Sequence, residues 1–165
     1  SASDWYRAFK NSYVYASYDT FVIWLGTNYG CGNMPTDEEI RDFVPEEVPV
    51  ASSANQALYL IKIITDIKSA NPDAFIVLGN AFASKSDVVT NNETISTIAG
   101  KYGLLLLDMS DLGISDRPEL HGNVNNPHFG KGGNLFIANR IKSAISSYIG
   151  NNPVLAEFGY SDRTN

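Results

Sequence analysis

FVIWL at residues 21–25, AFIVL at 74–78 and LLLL at 104–107 decide the fold of this chain. Each is a short apolar run without alternation, the pattern of a strand buried on both faces. Residues 54–69 place Ala57, Leu60, Ile61, Ile64 and Ile67 on one stripe and so predict a helix between the first two runs. A second helix is expected over residues 93–102. A last one is expected over 133–149, striped by Ile137, Ile141, Ala144, Ile145 and Tyr148. Buried strands alternating with helices mean parallel βαβ units, so the expected class is α/β, a three-layer α/β/α sandwich around a parallel sheet.

The composition fits one core: 165 residues, 44% hydrophobic and 18% charged. A formal net charge of -6 leaves no basic surface to neutralise a run of phosphates or an anionic membrane, so neither nucleic acid nor membrane is expected as a partner. Cys31 is the single cysteine, which excludes an internal disulfide, a zinc knuckle and a CxxC redox pair. No segment reaches the roughly 20 apolar residues of a membrane helix, and no charged and apolar leader opens the sequence. The expectation is a soluble chain, which a processed secreted protein would match equally. Residues 1–149 read as one unit and residues 150–165, without periodicity, as a C-terminal extension.

In parallel α/β sheets chemistry sits beyond the carboxyl ends of the strands, here the loops that start at Gly26, Gly79 and Asp108. The first, residues 26–50, is long, acidic and proline-containing, and reads either as a lid or as a solvated surface excursion. Gly26-Thr27-Asn28 opens it. An amide there can donate to a developing oxyanion and the glycine admits close approach, while Asn and Gly are also ordinary turn formers. Near the other end, Asn125-Asn126-Pro127-His128 precedes Phe129-Gly130 and the last helix. A histidine in a proline-fixed loop before a helix suits a general base, and a surface histidine would look the same. His121 and His128 taken as a metal pair lack an acidic residue at ligand spacing, so no metal is expected.

In order, these pieces resemble the SGNH (GDSL-like) hydrolases. VIWLGTN at 22–28 is similar to that family's glycine-x-asparagine block, and NNPHFGKGGNLFIANRI to its closing aspartate-x-x-histidine block, with His128 at the histidine and Gly133 at the glycine five residues on. The resemblance covers about residues 1–149. It implies a flavodoxin-like sandwich of SGNH type, an oxyanion hole with Asn28 and Gly26, and a catalytic His128 that activates a serine through an acyl-enzyme without any cofactor. An acyl or acetyl ester on carbohydrate is the substrate class it suggests.

Two positions depart from the family. Asn125 stands where the family has the aspartate that orients the histidine, and an amide in place of a triad carboxylate can cost about 10⁴ in turnover. Asp108, Asp111 and Asp116 are possible substitutes. The family's GDS-like serine block is missing, so the nucleophile is not in this chain, and Ser1-Ala2-Ser3-Asp4-Trp5 resembles the end of the second block. On the family's strand order 2-1-3-4-5 the first strands are missing, which would leave FVIWL as an unpaired apolar edge. The expected partners are therefore an ester substrate and an N-terminal segment or second chain that completes the sheet, without which the 165 residues are not expected to fold as a monomer. The rival function is an impaired SGNH-like domain serving as a carbohydrate-binding or structural module of a larger viral-tail or cell-surface assembly. The location is left open by the sequence, with a secreted, cell-surface or virion-associated one favoured.

Three further features bear on the choice. Trp5, Tyr6, Tyr13, Tyr15 and Tyr18 crowd the N-terminal segment, where they would stack on sugars or pack a core. Asn92-Glu93-Thr94 fits a glycosylation acceptor. No glycine-rich phosphate loop follows any strand, which excludes a nucleotide-binding domain.

Overall fold

The computed structural model describes residues 2–10, 14–25, 30–45, 56–81, 88–123 and 126–151. The chain divides into two compact units, Ser1–Asp111 and Leu112–Asn165.

The first unit is an α/β fold. Its elements in order are α1 (Ala2–Phe9), α2 (Val14–Ser17), β1 (Thr20–Trp24), α3 (Asp37–Arg41), α4 (Gln56–Ala70), β2 (Phe75–Gly79), α5 (Val88–Tyr102) and β3 (Leu105–Leu107). The strands form one sheet in the order β1-β2-β3, every pair parallel, with Phe21 beside Ile76 and Val77 beside Leu105. Both connections step the same way across the sheet, and right-handed crossovers then put α4 and α5 on the same face. That face carries Phe21, Ile23, Ile76 and Leu78. They share one core with Leu60, Ile63, Ile64 and Ile67 of α4 and Ile95, Ile98 and Ala99 of α5.

Helix α4 is buried more widely than its predicted stripe, with Gln56, Tyr59 and Ile63 enclosed as well. The cause is that α1 and α2 also pack against it. Ser3 and Gln56 seal the first of these contacts: the Ser3 amide donates to Gln56 Oε1 at 3.2 Å, and Gln56 Nε2 donates to Ser3 Oγ at 3.1 Å. Trp5, Tyr6 and Tyr15 serve this packing, Tyr6 and Tyr15 in the core and Trp5 against it. Tyr18 is exposed. Tyr13 lies outside the described residues.

The expectation that all three apolar runs are buried on both faces holds for β2 and fails for the other two. Ile76–Gly79 are buried throughout, but Val22 of β1 is 42% exposed and Leu106 of β3 37%. Only the central strand has a neighbour on each side among the described residues, so burial of the outer strands comes chiefly from whichever side chains a helix covers. Helix α5 begins at Val88, five residues before the expected start, because no breaker precedes the apolar stripe.

The second unit holds a 3₁₀ turn (Pro118–Leu120), an antiparallel pair β4 (His121–Asn123) and β5 (Asn126–Phe129), and the 20-residue α6 (Lys131–Gly150). Gly130 is the N-cap of α6, and its amide donates to the Leu120 carbonyl at 2.9 Å. Three residues later the helix passes so close to that turn that a Cβ at Gly133 would lie 2.0 Å from the Leu120 oxygen. Only glycine permits this approach.

Candidate functional site

Gly26, Asn28 and Asn125 lie outside the described residues. What the structure places is the framework on either side of them.

At the carboxyl end of the sheet, Asn80 follows β2 directly and is buried. Its carboxamide joins the two neighbouring segments: Nδ2 donates to Asp108 Oδ1 at 3.0 Å, and Oδ1 accepts from the Met109 amide. Asp108 Oδ1 also accepts from the Ser110 amide at 3.0 Å and the Ser110 hydroxyl at 2.7 Å. On the other side Trp24 Nε1 donates to the Asn80 carbonyl at 2.8 Å. One asparagine thus ties together the segments that leave all three strands, which holds the exposed Asp108 carboxylate in a fixed place. The sequence carried a sign of this: VLGN at residues 77–80 repeats the strand-Gly-Asn pattern of WLGTN at 24–28.

The part of the long loop between residues 30 and 45 is neither a lid nor a solvated excursion. It is fastened to the core. Cys31 is 2% exposed, and Met34, Ile40 and Phe43 pack on the core. The Gly32 amide donates to Asn91 Oδ1 at 3.1 Å, and Thr94 Oγ1 donates to the Gly32 carbonyl at 2.6 Å. A Cβ at Gly30 would fall 2.2 Å from the Asn91 side chain, so the chain lies flat on α5 there. Thr36 and Glu39 form a capping box that starts α3, and Lys101 donates to Asp37, which holds the Asp37 carboxyl below its usual range. Tyr59 closes the far end, its hydroxyl donating to the Pro45 carbonyl at 2.8 Å. Burial pushes the Cys31 thiol up to about 12.

The same contacts bear on the Asn92-Glu93-Thr94 triplet. The Asn92 side chain accepts from the Ala81 amide and donates to its carbonyl, both at 2.9 Å, and Thr94 is 3% exposed. In the folded chain both anchors of the triplet are engaged in structure.

The two histidines differ sharply. His121, on β4, is buried; its Nε2 lies 3.0 Å from the Leu112 carbonyl, and its ring stacks on Phe129 at 4.7 Å. A carbonyl only accepts, so Nε2 carries the proton, and this ring is a structural pin for the hairpin. His128, on β5, is exposed. The sequence led to a loop histidine; instead it belongs to a short strand, fixed by the pairing of His121 with Phe129 next to it. Among the described residues no three His, Cys, Asp or Glu side chains converge as ligands, and no described helix is long and apolar enough to cross a membrane.

Comparison with known proteins yields no family model, no curated protein and no solved structure that matches the chain. What the described residues offer chemically is an accessible imidazole on a pinned hairpin and, in the other unit, a strand-end amide network that holds a carboxylate still.

Proposed function

We propose that the chain is the histidine-bearing part of an SGNH-type serine esterase or deacetylase, acting on an acyl or acetyl ester, most simply one on carbohydrate. The observation that carries the reading is the division between the histidines. Of the two in the chain, His121 is spent on a carbonyl, and His128 is held at the surface immediately before α6, where proton exchange with a bound substrate is open to it. In this reading His128 is the general base, and Asn28 with Gly26 stabilises the tetrahedral oxyanion. The serine comes from a segment or second chain that pairs with the edge of β1 that has no neighbour among the described residues, since no GDS-like block occurs in the 165 residues. No cofactor takes part.

The test is hydrolysis of an activated acetyl ester by the natural assembly. His128→Ala is expected to abolish it, and Asn28→Ala to lower kcat by about 10²- to 10³-fold with little change in KM. Wild-type rates in both variants would overturn the assignment.

Asn125 favours a second reading, an impaired SGNH-like domain that binds carbohydrate or builds a larger assembly. Asn125→Asp separates the two: a large gain in turnover marks an impaired natural site, and no gain shows that another group already orients His128.

A further inference from the structure

Asn28 falls in sequence between two pieces of chain that the structure fixes. On one side β1 ends at Trp24, whose Nε1 donates to the Asn80 carbonyl at 2.8 Å, and Leu25 packs against the core. On the other side one face of α5 grips both backbone polar groups of Gly32. The Gly32 amide donates to Asn91 Oδ1 at 3.1 Å, and its carbonyl accepts from Thr94 Oγ1 at 2.6 Å. Asn91 and Thr94 are three residues apart, so they share a side of the helix, and they are 5% and 3% exposed.

The grip is specific to this point of the chain. Gly32 has a φ of 67°, the left-handed region that a residue with a Cβ rarely adopts. Met34, Ile40 and Phe43 hold the later part of the segment by apolar packing. The two hydrogen bonds act where the segment leaves the strand-end loop, and they fix the position of Gly32 rather than add buried apolar area. Two residues separate Asn28 from Gly30, and two residues of extended chain reach at most about 7 Å. A donor to an oxyanion works by being held in place before charge develops, so an anchor this near in sequence bears directly on it.

We propose that Asn91 and Thr94 are positioning residues for Asn28: by fixing Gly32 on α5 they set where the Asn28 amide meets the oxyanion. This inference rests on the esterase reading and gives α5 a part in it.

A double-mutant cycle on ester hydrolysis by the natural assembly tests it. Thr94→Val removes the hydroxyl at nearly constant size and is expected to lower kcat about tenfold or more with little change in KM, while Thr94→Ser, which keeps the hydroxyl, retains most of the rate. In the Asn28→Ala background Thr94→Val is expected to change kcat by less than about twofold, since a positioning residue then has nothing left to position. Equal losses in both backgrounds mark a merely structural role and overturn the inference, as does a wild-type rate in folded Thr94→Val. The labelling rate of Cys31 by a thiol reagent reads the grip without any activity: Thr94→Val is expected to speed it and Thr94→Ser to leave it near the wild-type rate, and unchanged labelling in Thr94→Val overturns the grip. Should Thr94→Val not fold, Asn91→Ala goes through the same cycle with the same deciding outcomes. An assembly without hydrolytic activity, or one untouched by Asn28→Ala, removes the esterase reading and this inference together, whereas the earlier outcomes remove the inference alone.

Discussion

Helix α4 in the first unit and helix α6 in the second are held by opposite means. Of the 15 residues of α4, eight are buried; of the 20 of α6, only Gly133 and Ile137 are. Both read in sequence as amphipathic helices with an apolar stripe. In α4 the stripe faces a sheet and its other flank meets α1 and α2, so stability rests on apolar area. In α6 the stripe from Ile141 to Tyr148 is only half-buried and Leu135 is 63% exposed, and contact gathers at the helix start, where the Gly130 amide and the close approach at Gly133 meet the Pro118–Leu120 turn and Ile137 is buried. Periodicity thus reports which side of a helix is apolar, but not how much will press on it.

The widest gap between the two helices should appear on truncating the same residue type in each. Ile64 in α4 is fully buried, and Ile64→Ala should cost about 2–5 kcal/mol by loss of apolar contacts and an unfilled cavity. Ile141→Ala in α6, half-buried, should cost about 1 kcal/mol or less. Urea unfolding of both variants measures this, and equal losses would break the comparison.

The parallel sheet, its helices and the apolar runs that become strands were legible because burial leaves a local trace in sequence. Three things were not. The exposure of Val22 and Leu106 depends on strand position within the sheet, which an apolar run does not encode. The anchoring of residues 30–45 depends on Asn91 and Thr94, about 60 residues away, and polar side chains carry no periodicity that marks a distant partner. The separate roles of His121 and His128 also escaped notice, since burial of a single imidazole follows from the hairpin and not from its neighbours in sequence. The Gly26, Asn28 and Asn125 assignments rest on motif resemblance, and the spacing that suggested them includes Gly133, whose need for glycine has a packing cause of its own.

Gly133→Ala is the next sharpest probe. Its methyl would meet the Leu120 carbonyl, and the overlap should cost about 1–3 kcal/mol. The loss should fall on the second unit: amide exchange is expected to quicken in β4, β5 and the first turns of α6 while α4 stays protected. Faster exchange in α4 to the same degree would mean that the two units unfold as one. Asn80→Ala is expected to do the reverse, at about 1–2 kcal/mol. It strands the buried Met109 amide and frees Asp108, so exchange should quicken at the strand ends of the first unit and leave the second unchanged.

The smallest effect at neutral pH, and the most selective for the first unit, concerns Cys31. Its thiol is 2% exposed, and burial raises it from an ordinary 9.0 to about 12. Below pH 9 the thiol is neutral in folded and unfolded chains alike, and its ionisation contributes nothing to the pH dependence. Between about 9 and 12 only the unfolded chain gives up this proton, so stability should fall as pH rises, by about 1.4 kcal/mol per pH unit from this group. Tyr15, also raised by burial, adds to the slope at its upper end. Cys31→Ala should flatten the alkaline limb of a stability curve by the thiol's share. At neutral pH a thiol reagent should label the wild-type chain only as fast as residues 30–45 detach from α5. Rapid labelling under native conditions would show that the Asn91 and Thr94 contacts do not hold this segment down, and the first unit would then share the loose anchoring seen along α6.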